Sequence, residues 1–427
     1  MGQTLRQSLR QSLGWTAAAL VLVAGPSIAR TPEQVADAAL RAAPVWDGHN
    51  DVPEQLRERR KNLIADFDFN DTRATDDPAN DRIAMHTDLT RLRQGRVGAQ
   101  FWSVWVPTRL NDQQAVQATL EQIDVTKRLI ARYPARMQLA TSAAEVESAM
   151  RAGRIASLIG MEGGHSIGQS LAVLRQMYAL GARYMTITHS KNTAFADSAT
   201  DKPMHNGLTP FGRDVVREMQ RIGMLVDLSH VSEKTMLDAL DTAKAPAIFS
   251  HSGARAIASH PRNVPDTVLG RLAANGGLVM VVTLPDYVSD AARDWSNRET
   301  AEKARLEAWH VGNPDAARAA LANWVKANPA PRSGVAQVAD HIDHVVKQAG
   351  IDHVGLGADF DGMDSATQGM DDVAGYPALF VELARRGYDQ PALEKIASRN
   401  MMRVLRAAES YAAAHRVDPP IESATGF

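Results

Sequence analysis

The stretches Met224-Leu-Val-Asp-Leu-Ser-His230 and Ala247-Ile-Phe-Ser-His251 show an arrangement that repeats along this chain of 427 residues. In each, a short apolar run typical of a buried β-strand ends at a histidine. The arrangement recurs at Val45-Trp-Asp-Gly-His49, Leu158-Ile-Gly-Met-Glu162 and Gly355-Leu-Gly-Ala-Asp359, where the last residue is again a histidine or an acid. Buried strands that end in this way favour a parallel sheet whose carboxyl ends carry chemistry.

Eight strand candidates alternate with helical patterns. They cover residues 45–49, 97–106, 155–160, 184–188, 224–228, 247–249, 278–283 and 353–357. Helix start and stop signals lie between them, for example Thr209-Pro210 before one helix and Gly223 after it. This alternation predicts an α/β fold, a single (β/α)8 TIM-like barrel. An open doubly wound sheet is the alternative, although no glycine-rich phosphate loop follows the first strand.

The alternation is interrupted once, between the seventh and eighth predicted strands. Residues 286–333 contain two polar, alanine-rich helical patterns, and we predict a helical insertion there. Residues 54–90 are rich in aspartate, and we predict a long solvated loop with helical fragments. The barrel as a whole is predicted to occupy residues 30–427.

The first 29 residues have the features of a secretory signal peptide. Arg6 and Arg10 precede an apolar run from Trp15 to Ala24, and Ser27-Ile-Ala29 fits the small-x-small cleavage rule. The run is too short for a typical transmembrane helix. We therefore predict an exported protein, periplasmic or secreted, with no stable membrane span after cleavage; an uncleaved anchor is the alternative.

The composition excludes several classes of protein. The formal net charge is −2, and basic residues are interspersed with acids, so nucleic acid is not an expected partner. The chain has no cysteine, which excludes disulfides, a thiol nucleophile and a thiolate metal site. Any metal must be held by histidines and carboxylates, which suits zinc or another borderline divalent ion. A small molecule or peptide is the expected substrate, and a homodimer is allowed but not indicated.

Seven side chains are predicted to converge, because all strands of such a barrel open on the same mouth. They are His49, Asp51, Glu162, His189, His230, His251 and Asp359. A single histidine after a strand is more often structural than functional. Six strand ends that share this composition are better explained by a two-metal site, in which mixed imidazole and carboxylate ligands hold two cations.

Seven stretches resemble, in the same order, the renal (membrane) dipeptidase family of zinc metallopeptidases. They are His49-Asn-Asp-Val52, Met161-Glu-Gly-Gly-His-Ser-Ile167, Thr188-His-Ser-Lys-Asn-Thr193, Asp227-Leu-Ser-His-Val231, Phe249-Ser-His-Ser252, Arg262-Asn-Val-Pro265 and Gly357-Ala-Asp-Phe-Asp-Gly362. The resemblance covers residues 45–362. It implies hydrolysis of dipeptides by a hydroxide that bridges two zinc ions, including dipeptides with a C-terminal D-residue, as in some family members.

The resemblance also implies a set of metal ligands. His49 and Asp51 would bind one zinc ion, and His230 and His251 would bind the other. Glu162 would bridge the two ions.

Three further roles follow from the resemblance. His189 would lie over the substrate and donate to the developing oxyanion, and Arg262 would bind the C-terminal carboxylate of the dipeptide. Asp359 would carry the proton from the attacking water to the leaving amine. From spacing alone Asp361 is an equal candidate for this shuttle, and a surface salt bridge is the alternative role for Arg262.

The remaining histidines have no comparable strand-end context. His165 is interpreted as a residue that supports Glu162 or its loop. Seven more are treated as structural or exposed: His86, His205, His310, His341, His344, His353 and His415.

Two other functions remain open at this point. The same barrel supports other metal-dependent hydrolases, such as a lactonase, a phosphotriesterase or a deaminase. A metal-binding protein without catalysis is the third hypothesis. We do not expect membrane attachment to be inherited from the family, because residues 423–427 offer no apolar tail for a lipid anchor.

Overall fold

A computed structural model describes residues 30–80 and 82–422, so the predicted signal peptide and residues 423–427 lie outside the described residues. The described chain contains nine strands. They are β1 (Val45–Asn50), β2 (Val97–Trp105), β3 (Met137–Leu139), β4 (Ile155–Glu162), β5 (Ala182–Thr186), β6 (Leu225–Asp227), β7 (Ile248–Ser252), β8 (Leu278–Val281) and β9 (Val354–Leu356).

Eight of these strands close into a parallel barrel. The ring runs β1, β2, β4, β5, β6, β7, β8, β9, and β9 pairs again with β1. The short strand β3 lies outside the ring and pairs with the start of β4. The predicted barrel is confirmed, whereas β3 was not predicted.

Helices surround the barrel. They are α1 (Pro32–Ala42), α2 (Val52–Arg60), α3 (Leu89–Gln94), α4 (Asp112–Arg132), α5 (Ala143–Arg151), α6 (Leu171–Ala179), α7 (Pro210–Ile222), α8 (Glu233–Thr242), α9 (Asp266–Asn275), α10 (Pro285–Val288), α11 (Asp290–Trp309), α12 (Pro314–Ala327), α13 (Val335–Ala349), α14 (Tyr376–Arg385), α15 (Gln390–Glu394) and α16 (Asn400–Ala414). The expected caps are present: the Thr209 side chain accepts from the Gly212 N–H, and Gly223 ends α7 with a left-handed φ of 86°.

The predicted insertion is helical and lies between β8 and β9, the seventh and eighth strands of the ring. It contains α10, α11 and α12. The Trp295 and Trp324 rings pack 6.0 Å apart, and the Trp295 indole N–H donates to the Asn328 carbonyl at 2.6 Å. Among the described residues, no helix, including these, is both long and apolar enough to cross a membrane.

The barrel interior below its mouth is filled with large side chains. Trp46 packs on Phe101 with ring centroids 5.9 Å apart, and Phe101 packs on Tyr184 at 4.9 Å. All three rings are fully buried. This plug closes the amino-terminal end of the barrel, so the open end is the one where the strands finish.

Residues 54–90 contain the predicted helical fragments and many exposed residues, but the segment is also held to the barrel by buried side chains that were not predicted. Phe67, Phe69 and Met85 are buried, and Phe69 contacts the Trp102 ring. Arg91 bonds to the Asp88 carboxylate inside this packed region. These buried side chains are hard to recognise in the sequence, because the many aspartates around them lower the average hydropathy of the segment.

Candidate metal centre and active site

The seven strand-end side chains meet at the mouth of the barrel. Their donor atoms form three overlapping triplets, each with all atoms within 4.8 Å of one another. The triplets are His49–Glu162–His251, Glu162–His189–His230 and His49–Asp51–Asp359. Within the described part of the chain, no other residues form such a group. The predicted convergence is therefore present.

Glu162, the last residue of β4, lies at the centre of the cluster. Its Oε1 is 2.9 Å from His230 Nε2 and 3.5 Å from His251 Nε2. Its Oε2 is 3.5 Å from His49 Nε2 and accepts a hydrogen bond from Ser103 at 3.1 Å. The two oxygens thus face different histidines, so this one carboxylate contributes to both sides of the cluster.

The first side of the cluster is built by β1 and the residue that follows it. His49 Nε2 lies 3.3 Å from Asp51 Oδ2, and both residues are buried. His49 Nδ1 is 2.9 Å from the Tyr184 hydroxyl. When Nε2 is a ligand, Nδ1 carries the proton and donates it to Tyr184, so the hydroxyl fixes both the tautomer and the ring orientation.

The second side is built by β6 and β7. His230 Nε2 and His251 Nε2 are 3.0 Å apart. His251 Nδ1 is 2.9 Å from Ser250 Oγ, which donates to the buried Asp227 carboxylate at 2.6 Å. This chain of hydrogen bonds orients His251 with its Nε2 toward Glu162.

These donors fit divalent metal ions. Ligands at 2.0–2.2 Å around a tetrahedral ion are separated by about 3.3 Å, and the separations between His49, Asp51, Glu162, His230 and His251 lie near this value. Within the described chain, His49 Nε2 and Asp51 Oδ1 are buried and lack any hydrogen-bond partner. Buried polar atoms of this kind require a partner, and a bound cation would satisfy them.

The electrostatics of the cluster also favour cations. Burial alone would raise the pKa of Glu162, but the charges of His49 and His189 and the bond from His230 outweigh burial and lower this pKa well below its ordinary value. Burial tends to lower the pKa of His49, but Tyr184 and nearby carboxylates raise it well above its ordinary value.

The backbone is strained at three positions of this mouth. His230, Asp359 and Asp361 have positive φ angles of 70°, 71° and 68°. Such conformations cost on the order of 1 kcal/mol or more outside glycine and cluster at functional sites. Gly362 allows the turn after β9, because a Cβ there would collide with the Asp51 and Asp359 carboxylates.

Asp359 and Asp361 occupy different environments. Asp359 Oδ1 lies 3.8 Å from His49 Nε2, inside the cluster. The Asp361 carboxylate accepts from the His86 N–H at 2.8 Å, and the Asp361 N–H donates to His86 Nδ1 at 3.1 Å. Asp361 therefore ties two loops together, whereas Asp359 faces the predicted metal ligands. Burial raises the pKa of Asp359 well above its ordinary value.

His189 follows β5 and is the most exposed of the seven side chains. Its side chain is 20% exposed, and its Nε2 lies 3.6 Å from Glu162 Oε1. Its ring packs against Trp105 with centroids 5.3 Å apart. Burial lowers the pKa of His189 to about 4, so the imidazole is neutral near pH 7 and retains one N–H to donate.

Arg262 is not the surface residue that the sequence allowed. It is 1% exposed, and its guanidinium lies over the Tyr287 ring at 5.2 Å. It bonds only weakly to Ser252 Oγ and the His251 carbonyl, both at 3.4 Å. Among the described residues no carboxylate forms a salt bridge with it, so its charge is available for an anionic ligand.

Two other histidines near the mouth, His165 and His341, have structural roles, as predicted. His165 Nε2 bonds to the Val106 carbonyl at 2.9 Å and belongs to none of the triplets. His341 is buried between the Ala254 N–H and the Val288 carbonyl. Both histidines stabilise loops around the mouth.

Sequence reasoning missed the residues that support the cluster. Tyr184 reads as an ordinary strand residue, yet its ring crosses the barrel interior to His49, and Gly160 makes room because a Cβ there would collide with this ring. Ser103, Trp105 and Tyr287 were missed for the same reason. Contacts between distant strands leave no periodic signal in the sequence.

The role of Tyr184 can be tested by the Tyr184→Phe variant. We expect the affinity for a divalent metal ion to fall by about 10- to 100-fold, as for other supporting partners of metal ligands, while the fold persists because the ring is kept. Competition with a chromogenic chelator measures this affinity. Tyr178→Phe, on the outer helix α6, is the matched control. Equal metal affinity in wild type and Tyr184→Phe would contradict the role.

The fold and the cluster together define a class: a metal-dependent hydrolase of the (β/α)8 barrel type. The comparison with protein families then gives the family. A model of the membrane dipeptidase family, peptidase family M19, matches residues 33–418. The chain belongs to this family and is a metal-dependent dipeptidase.

Individual relatives agree with this assignment. The chain is 42% identical over 379 residues to the dipeptidase tcpJ of Claviceps purpurea, an alignment that covers 87% of this chain and 78% of the relative. It is 39% identical over 381 residues to the dipeptidase verJ of Clonostachys rogersoniana, covering 87% and 85%.

Two crystal structures share the fold. The probable dipeptidase PvdM from Pseudomonas aeruginosa superimposes with a TM-score of 0.74 at 22% identity, covering 89% of this chain and 99% of the other. A metallopeptidase from Rhodobacter sphaeroides, liganded with a phosphinate mimic of the dipeptide L-Ala-D-Ala, gives a TM-score of 0.68 at 26% identity. That alignment covers 86% of this chain and 99% of the other.

Proposed function

We propose that the dipeptidase uses two zinc ions and accepts dipeptides with a C-terminal D-residue. The observation that carries the two-ion part is the position of Glu162, whose two carboxylate oxygens face separate histidines. His49 and Asp51 would hold one ion, and His230 and His251 would hold the other. When bound, the ions would supply the Lewis acidity that activates water for attack on the peptide carbonyl.

The side chains around the ions would act on the substrate. Arg262 would bind the C-terminal carboxylate through its planar fork. His189 would donate its N–H to the carbonyl oxygen as negative charge develops there. Asp359 would take a proton from the attacking water and return it to the nitrogen of the leaving amine.

The proposal for D-residues rests on the Rhodobacter sphaeroides relative, whose bound phosphinate mimics L-Ala-D-Ala. Arg262 fixes only the carboxylate, so both stereochemistries at the C-terminal residue present the same group to it. A screen of matched L,L and L,D dipeptides with metal-replete protein tests this directly. We expect hydrolysis of L-Ala-D-Ala at a rate comparable with L-Ala-L-Ala; hydrolysis of L,L substrates alone would contradict the proposal.

The buried Arg262 also bears on the alternative hydrolases. Lactones and phosphotriesters carry no carboxylate, so neither would satisfy this guanidinium. The same screen includes a lactone, a phosphotriester and a dipeptide with an amidated C-terminus. We expect no useful turnover of the three.

We further propose that the protein is exported, periplasmic or secreted, on the basis of the signal sequence in residues 1–29. Cleavage after Ala29 would leave Arg30 at the amino terminus. Mass spectrometry of the protein recovered from the native host tests this; a retained Met1 would contradict cleavage.

A further inference from the structure

Glu54 lies beside the metal centre and has no part in the roles assigned so far. It follows Asp51 by three residues, in the first turn of α2. A glutamate at this position often caps its helix by accepting the N–H of the residue before the first turn. Here the Asp51 N–H donates instead to the Phe360 carbonyl at 2.9 Å, so Glu54 does not serve as that cap.

The Glu54 carboxylate lacks a strong partner within the described chain. Its one ion pair is with Arg57 Nη2, at 3.7 Å, which is too long for a hydrogen bond. Arg57 is engaged elsewhere, because it donates to the Trp105 carbonyl at 2.5 Å and to Glu58 at 3.1 Å. Burial and the charge of Asp51 raise the pKa of Glu54 well above its ordinary value, and the charge of Arg57 offsets this only in part.

The carboxylate borders a cavity that is separated from His189 by the Trp105 ring. Glu54 and Trp105 line a cavity of about 360 Å³ that also reaches Asp361. The Trp105 ring contacts His189 on the other side. The Glu54 side chain is 24% exposed, so a small ligand in the cavity can reach it.

The barrel places this cavity opposite Arg262. Trp105 ends β2 and Arg262 follows β7. In the ring of eight strands, β7 is four strands from β2 in either direction, so the two lie on opposite sides of the mouth. A substrate whose carboxylate is held by Arg262 and whose peptide carbonyl lies at Glu162 would extend its amino-terminal residue toward Glu54.

We propose that Glu54 binds the free α-ammonium group of the dipeptide. The inference rests on the proposed function, because it assumes that Arg262 holds the C-terminal carboxylate. The two charged side chains then select length: a dipeptide has an ammonium and a carboxylate at the required separation. N-acylated peptides and longer peptides would leave one of the two charges without a partner. Glu54 is thus a specificity-determining residue of the mouth.

The test compares free and N-acetylated dipeptides in wild type and in the Glu54→Gln variant. For L-Ala-D-Ala we expect the variant to raise KM by about 10- to 100-fold with little change in kcat, the range expected for a lost hydrogen bond between charged groups. For N-acetyl-L-Ala-D-Ala we expect a low kcat/KM in wild type and no further loss in the variant. Glu54→Asp is expected to restore part of the affinity.

Glu121→Gln is the matched control, because Glu121 is exposed on the outer helix α4, where its carboxylate accepts from Gln117, and it does not line this cavity. We expect its KM to remain within about twofold of wild type. Metal content and thermal unfolding are measured for every variant, so that a loss of ions or of fold is recognised. The des-amino analogue of the dipeptide tests the same point on the wild-type enzyme, where it should bind about 10- to 100-fold more weakly.

An unchanged KM in Glu54→Gln, or equal losses on free and N-acetylated substrates, would overturn the inference while the proposed function stands. Wild-type protein that hydrolyses no dipeptide would instead overturn the proposed function, and the inference with it.

Discussion

The Glu162→Gln variant is expected to lose nearly all dipeptidase activity together with its metal. The amide keeps the size of the side chain but replaces one carboxylate oxygen with a donor, so it cannot face histidines on both sides, as Glu162 Oε1 and Oε2 do. Loss of the several kcal/mol that bound ions supply corresponds to a decrease in kcat of at least about 10³-fold. Steady-state kinetics and elemental analysis of the same sample measure both effects.

Glu218→Gln provides the control for removing a buried glutamate. Glu218 is fully buried on α7, where it pairs with Arg175 and Arg221 far from the mouth. We expect lower thermal stability in this variant but normal metal content and a near-normal kcat. Full metal occupancy and activity in Glu162→Gln would show that Glu162 does not bridge two ions.

The Asp359→Asn variant is expected to keep its metal and lose turnover. An amide cannot accept and return a proton, and general acid-base catalysis contributes about 10²- to 10⁴-fold. Asparagine tolerates the left-handed backbone at this position, where φ is 71°, so the loop should keep its shape. We expect kcat to fall within that range with metal content unchanged, as measured by kinetics and elemental analysis.

Asp361→Asn is the matched comparison, because it lies two residues away with nearly the same backbone conformation. Its amide oxygen can still accept the His86 N–H, so we expect only a small loss of activity. The opposite ranking of the two variants would assign the proton shuttle to Asp361.

The elements that could be predicted are those with a local signal. The apolar runs that end at His230 and His251 predict two strands, β6 and β7. Gly223 predicts the end of α7, directly before β6. Because parallel strands of a barrel all end at one mouth, their terminal residues could be placed together without any knowledge of contacts. The same logic brought Glu162 into the cluster.

Other features could not be predicted because their signal is weak or misleading. The strand β3 has three residues, too few for a periodic pattern. Phe67 and Phe69 are buried in a segment whose aspartates suggest solvent. Asp359 and Asp361 were indistinguishable because alternation along a strand assigns both to one face, whereas the positive φ angles of both residues turn the chain out of that pattern.

The supporting contacts required the fold itself. Tyr184 contacts His49 although it lies 135 residues later in the chain. Arg262 stacks on Tyr287, which lies at the start of the insertion. Glu54 was assigned to a solvated loop with helical fragments, and its position beside the cluster was not predicted. These contacts depend on the order of the strands in the barrel. Residue types and their spacing in the sequence do not specify that order.

The most direct test of the two-ion site is the number of zinc ions bound per chain when the metal-free enzyme is titrated, with activity followed in the same samples. We expect activity to saturate at two ions per chain in the wild type, and the Glu162→Gln variant to bind neither ion tightly. Full activity at one ion per chain, with no second ion bound, would contradict the account.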